Sequence, residues 1–228
     1  MAPKLRVTTG CSAFGHPEFE LDVDGVPDVL TSFVVRYVEG RVAKGARFEP
    51  GQHAQFGSGV LRVATAGNRL TFFECAPGTD DWQRGFGTTL VAMYRQRCTL
   101  ESIGLLERLD YPAPCAGAIV CKRVDSASAV GFIRDEPTGD DSGWSVVCAE
   151  DHDHADADEL LSTRIETVIA RVPLFELFLA MPAGSLVARG PRGIESIHVD
   201  DVVQPILVGS FLEMLGRERR WPVLANRN

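Results

Sequence analysis

Apolar positions near the start of the chain alternate. Phe19, Leu21 and Val23 fall on every second residue, so residues 5–23 are expected to supply strands with these side chains on one face. After Pro27 the period lengthens. Leu30, Phe33, Val34, Tyr37 and Val38 recur at steps of three and four, which predicts an amphipathic helix ending near Gly40 or Gly45 and packing on a sheet. Strand-type runs follow at 52–56, 59–64 and 69–75. The last two are separated by Ala66-Gly67-Asn68, where Gly and Asn readily take the positive φ of a tight hairpin. Trp82, Phe86, Leu90 and Tyr94, spaced by four, predict a second helix from about Asp81.

The run Tyr111-Pro112-Ala113-Pro114 suits neither a helix interior nor a central strand, because each proline lacks an amide hydrogen and fixes φ. It is expected to link two domains, 1–110 and 115–228. Beyond it, 118–124, 130–134 and 144–148 are short strand-type runs between polar turns. Asp156 precedes Glu159 by three residues, a capping-box spacing, and predicts a helix that buries Leu160, Leu161, Ile165, Val168 and Ile169. Pro173 is placed to open a short helix over 174–179. Ala183-Gly184-Ser185 then turns the chain into the strand-like Leu186-Val187-Ala188, and residues 200–220 are expected to be helical in part. The expected fold class is α+β, with two domains that are each a mainly antiparallel sheet with packed helices.

Composition agrees with a folded chain: 45% of the 228 residues are hydrophobic and 24% charged. No apolar run approaches the roughly 18–20 residues needed to cross a bilayer, and residues 1–10 lack the apolar core of a secretion signal. The expected location is the cytoplasm, with no membrane partner. Six cysteines, at 11, 75, 98, 115, 121 and 148, form no CxxC pair. In a reducing compartment they read as small buried hydrophobes, with no disulfide framework, zinc cage or cofactor expected.

Charge changes the picture. Residues 1–110 hold 12 Lys and Arg against 13 Asp and Glu, whereas residues 111–228 hold 11 against 18, and the net charge is −8. Phosphate repels such a surface, and the one basic cluster, Arg217, Arg219 and Arg220, is short, which argues against direct nucleic-acid binding. Between Asp135 and Thr163 stand ten carboxylates and no Lys or Arg: Asp135, Glu136, Asp140, Asp141, Glu150, Asp151, Asp153, Asp156, Asp158 and Glu159. Placed on adjacent loops of one sheet edge they repel each other, and a basic protein surface would offset that repulsion and steer encounter. Trp144 and Trp221 are aromatic anchors for such an interface or core residues.

Catalytic patterns are sparse. There is no GxSxG elbow, no Walker loop and no GxGxxG after a strand, and Gly57-Ser58-Gly59 lacks the required flanks. Spacing leaves open a Cys11 nucleophile with His16 or His53, which the fold would have to bring together. His152 and His154, amid Glu150, Asp151, Asp153 and Asp156, also read as a metal-dependent loop, the alternative being a solvated acidic segment.

Four pieces in order carry a resemblance: Ala118-Ile119-Val120-Cys121-Lys122-Arg123-Val124, then Val130-Gly131-Phe132-Ile133-Arg134-Asp135-Glu136-Pro137, then Asp141-Ser142-Gly143-Trp144, and Pro182-Ala183-Gly184-Ser185. Over about 117–190 the chain resembles a small bacterial domain found among immunity proteins of polymorphic toxin systems. That family's pattern runs V-S-K-R-V, G-Y-M-Y-R-E-E-P, D-S-G-W, G-D-E and P-x-G-S. Cys121 stands where the family usually has Ser, Asp135 where it often has Glu, and Ala149-Glu150-Asp151 approximates G-D-E. His16-Pro17-Glu18 and Phe48-Glu49-Pro50-Gly51-Gln52 resemble N-terminal segments of other immunity proteins.

The resemblance implies a non-enzymatic protein that binds and neutralises a cognate secreted toxin, as the immunity partner of a type VI secretion effector does. An acidic inhibitor best suits a DNase, whose nucleic-acid groove is basic, in a heterodimer with the toxin's catalytic domain. The expected contact residues are Asp135, Glu136, Asp140, Asp141, Trp144, Glu150, Asp151, Asp153, Asp156 and Asp158. The rivals are a small metal-dependent enzyme using the His152/His154 loop and an acidic adaptor with several partners.

Overall fold

A computed structural model describes residues 4–75, 81–113, 115–154 and 156–217, so Pro114, Arg219, Arg220 and Trp221 lie outside the described residues. The chain divides into two compact units, Met1–Tyr94 and Arg95–Asn228. The division falls earlier than the proline-rich segment. Leu100 and Ile103 belong to the apolar core of the second unit, so the chain before 111 already packs there.

The first unit begins with β1 (Leu5–Val7) and β2 (Glu20–Asp22), an antiparallel pair, followed by α1 (Asp28–Ala43). An antiparallel sheet then runs in order β3 (His53–Phe56), β4 (Gly59–Ala66), β5 (Arg69–Cys75) and β6 (Trp82–Arg84). The hairpin falls where Gly67, at φ 63°, and Asn68 place it, with Ala66 opposite Arg69. Phe19, Leu21 and Val23 are all buried, as their alternation requires. In α1 the buried stripe is Leu30, Thr31, Val34, Val38 and Val42, whereas Phe33 and Tyr37 stay partly exposed.

The helix expected from Asp81 starts later. Trp82–Arg84 pair with β5 as β6, and α2 spans Gly87–Glu101. The reason is local: Gly85 sits at φ 145°, a conformation no helix contains, so strand must end and helix begin around it.

The second unit holds a seven-stranded sheet in order β10-β7-β9-β8-β11-β12-β13. Its strands are β7 (Gly117–Cys121), β8 (Val130–Arg134), β9 (Asp141–Cys148), β10 (Leu160–Arg164), β11 (Ser185–Gly190), β12 (Gly193–Val199) and β13 (Val202–Val203). Every pairing is antiparallel except that of β7 with β9, which is parallel. Its helices include α3 (Ile165–Arg171) and α4 (Phe211–Arg217), with a 3-10 helix over Pro173–Phe178 that has its proline in the first turn. Phe132, Trp144, Phe175 and Phe178 are buried together, with Trp144 edge-on to Phe175 at 5.1 Å between ring centroids.

Here too a helix is shorter than its sequence signal. The Asp156 carboxylate does cap, accepting from Asp158 N at 2.9 Å, but it closes only a 3-10 turn, Ala157–Glu159. Leu160 to Arg164 then pair with β7 instead, because the open edge of that strand offers a complete set of backbone partners. Among the described residues no helix is long and apolar enough to cross a membrane.

Candidate functional site

Strand β9 has two ends with different chemistry. At its start, three of the motif pieces knit into one hydrogen-bonded corner. Arg134, at the end of β8, lies opposite both Trp144 of β9 and Ser185 of β11. Its guanidinium is buried. It donates to the Asp110 carbonyl at 2.8 Å and to the Met181 carbonyl, and meets the Asp110 carboxylate at 2.9 Å. It also lies 5.6 Å from the centre of the Trp144 ring. Burial lowers its pKa, and the charges of Asp110 and Glu136 act against that shift.

The rest of the corner joins side chains to backbone. Asp141 Oδ1 accepts from Gly143 N at 2.7 Å, Ser142 Oγ donates to Gly117 O at 2.6 Å, and Trp144 Nε1 donates to Leu179 O at 3.2 Å. Gly143 is at φ 77°, and a Cβ there would overlap the Asp135 carbonyl, so only glycine fits. Gly184 N donates to Arg134 O at 2.7 Å and Ser185 Oγ to Pro182 O at 2.6 Å. The Asp-Ser-Gly-Trp and Pro-Ala-Gly-Ser residues thus hold the sheet's turns. Trp144 is fully buried and takes the core position, which corrects its assignment as a contact residue: no partner can reach the ring without unfolding the corner.

The acidic residues do not share one sheet edge. Asp135, Glu136, Asp140 and Asp141 lie on the β8–β9 connection at the start of β9. Glu150, Asp151, Asp153, Asp156 and Asp158 follow its end, and eight strand residues place the two groups about 20–25 Å apart. All are exposed except the half-buried Asp141. Beside the first group opens a cleft of about 490 Å³, lined by Asp110, Tyr111, Pro137, Asp140 and Asp141 among others, with Arg134 also in its wall. Among the described residues the buried Tyr111 Oη has no hydrogen-bond partner, and burial pushes its pKa up to about 12. With the Asp110 carboxylate paired to Arg134, the carboxylates of Asp140 and Asp141, two rings and a neutral hydroxyl make a slot suited to a cationic side chain with an apolar stem.

At the other end of β9 the structure gathers residues that the sequence leaves scattered. Cys121 and Cys148 are the last residues of β7 and β9, and parallel pairing brings the two strand ends to the same side of the sheet. Their sulfurs are 3.6 Å apart. His152 Nε2 lies 3.0 Å from the Cys148 sulfur and 3.5 Å from that of Cys121, and His154 Nε2 lies 3.6 Å from Cys148. The four donor atoms fall within 4.8 Å of one another. Reading the six cysteines as buried hydrophobes holds for the burial of Cys11, Cys121 and Cys148 but not for the exposed Cys115, and it misses this convergence. The missed signal is Cys148-x-x-x-His152-x-His154, which puts three donors on seven residues. Burial pushes the Cys148 thiol up.

In the first unit, Cys11 and His16 serve structure. The Cys11 thiol donates to Thr8 Oγ1 and is pushed up to about 11, chiefly by burial. His16 Nε2 accepts from Phe48 N at 3.0 Å and its Nδ1 meets Pro17 O at 2.7 Å. Burial raises Glu18, but hydrogen bonds from Thr8, Ser12 and Cys11 outweigh it and bring the carboxyl to about 2. His53 packs on Trp82 at 5.4 Å. Compared with family models, with curated proteins and with solved structures, the chain matches none.

Proposed function

We propose that this chain is an immunity protein, which binds the basic catalytic domain of a cognate secreted toxin and blocks its active site or substrate groove. The observation that carries the reading is the cleft at the start of β9, where Asp110, Asp140 and Asp141 face a slot of about 490 Å³. A lysine or arginine entering there would exchange water for carboxylates, while Tyr111 and Pro137 cover its stem. Exposed Asp135 and Glu136 beside the slot add a field that steers a basic partner and raises its rate of encounter. Nucleases present such a surface because they must hold phosphate, so a DNase effector of a type VI system, met in the cytoplasm and held as a heterodimer, fits best.

The test is co-purification with the product of the adjacent gene, followed by rescue of cells that express that product. Complex formation and rescue are expected. A neighbour that is harmless, or that is toxic but neither binds nor is neutralised, overturns the proposal.

A further inference from the structure

We propose that Cys121, Cys148, His152 and His154 form a closed, tetrahedral site for a divalent transition metal, zinc in the first place. The inference stands on the second unit alone and does not depend on the identity of any binding partner. Four-coordinate zinc holds sulfur at about 2.3 Å and imidazole nitrogen at about 2.0–2.1 Å, so the edges of its tetrahedron are about 3.8 Å between sulfurs and about 3.5 Å between sulfur and nitrogen. The sulfur pair here is 3.6 Å apart, and three sulfur–nitrogen separations are 3.0, 3.5 and 3.6 Å. Four of the six edges are thus close to those of a polyhedron sized for that ion, and the remaining two lie within 4.8 Å. Two thiolates with two imidazoles select zinc over hard cations, which take oxygen.

The surroundings match a ligand set more closely than a packed core. Each sulfur accepts a backbone N–H from the residue two positions on: Arg123 N reaches Cys121 at 3.4 Å, and Glu150 N bonds Cys148. Backbone donors aimed at sulfur are a common feature around metal-bound cysteines. Both histidines direct Nε2 at the cysteines, while His152, whose side chain is 6% exposed, holds Nδ1 3.7 Å from Glu159 Oε2. Glu159 is itself gripped by Arg123 through two bonds of 2.9 and 3.0 Å. A carboxylate behind a ligating imidazole fixes its tautomer and orientation once the two close to hydrogen-bond distance, which makes Glu159 the positioning residue for metal-bound His152.

The protein fills all four positions, so the ion would be structural and not hydrolytic. Its consequence is mechanical: it ties the loop after β9, which carries Glu150, Asp151 and Asp153, back onto the ends of β7 and β9.

The experiment titrates the purified full chain, kept reduced, with Zn(II) against a chromophoric chelator, and in parallel loads it with Co(II). One metal per chain is expected, with the visible absorption of tetrahedral cobalt and thiolate-to-metal charge transfer. Cys148→Ser should abolish stoichiometric uptake, and Glu159→Gln should weaken zinc by about 10–100-fold through His152. Should Cys148→Ser fail to fold, His154→Ala decides, since that half-buried ring can be removed with the far-UV circular dichroism unchanged and uptake lost. Three results would overturn the proposal. They are uptake below one equivalent, zinc held as tightly by His154→Ala as by the parent chain, and a Cys121–Cys148 disulfide whose reduction restores no metal binding.

Discussion

The two ends of β9 bury polar groups in opposite ways. At the start, Arg134 is surrounded by the Asp110 carboxylate, two carbonyls and the Trp144 ring, all supplied by the chain itself. At the end, two thiols and two imidazoles crowd together, and His152 Nδ1 has no hydrogen-bond partner among the described residues. At the first end the chain's own carboxylate and carbonyls meet the buried charge, leaving Arg134 Nε and Tyr111 Oη without hydrogen-bond partners among the described residues; the other end has the donors of a site that a cation would complete. The difference separates two kinds of sequence feature: short motifs that close a turn locally, and donor atoms that only the sheet's pairing brings together.

That contrast can be broken at the Arg134 end first. Trp144→Ala leaves a cavity under Phe175 and a bare Leu179 carbonyl, and should cost about 3–5 kcal/mol in denaturant unfolding. Trp144→Phe keeps most of the volume but not the hydrogen bond, so about 1–3 kcal/mol is expected, most of it from the orphaned acceptor. At the other end, in chelator-treated protein, His152→Ala should cost about 1 kcal/mol, and addition of zinc should raise the melting temperature of the parent chain alone. Asp156→Ala, which uncaps the turn that delivers Glu159, should likewise cost about 1 kcal/mol or less.

Glu18, in the first unit, serves as a control. Its folded carboxyl titrates near 2 against an ordinary 4.5, so it stabilises the native state above 4.5 and loses that contribution as the pH falls from 4.5 toward 2. Glu18→Gln should flatten the acid limb of the unfolding profile without altering either end of β9.

Much of the fold was legible because it is local. The β4–β5 hairpin follows from Gly67-Asn68, the α1 stripe from its period, and the 3-10 helix from Pro173. Two helix starts were misplaced where a sheet edge took the segment: 82–84 became β6 and 160–164 became β10. Capping and spacing signals describe one turn, and tertiary pairing decides how the chain continues beyond it. The acidic run was legible as composition, but an eight-residue strand in its middle divides it into two surfaces. Cys121 was the least legible. It lies 27 residues from Cys148, and only the parallel β7–β9 pairing makes them neighbours.

The division of the acidic run sets the most direct test. Two variants reverse charge at one end of β9 each, Glu136→Lys with Asp140→Lys and Asp151→Lys with Asp153→Lys, and their association with the adjacent gene's product is followed at low and high salt. Binding through the cleft should slow association of the first variant by about 10-fold or more at low salt, and far less at high salt, with the second variant nearer the parent. Rates unchanged in the first variant at both salt concentrations would contradict an acidic contact at the start of β9.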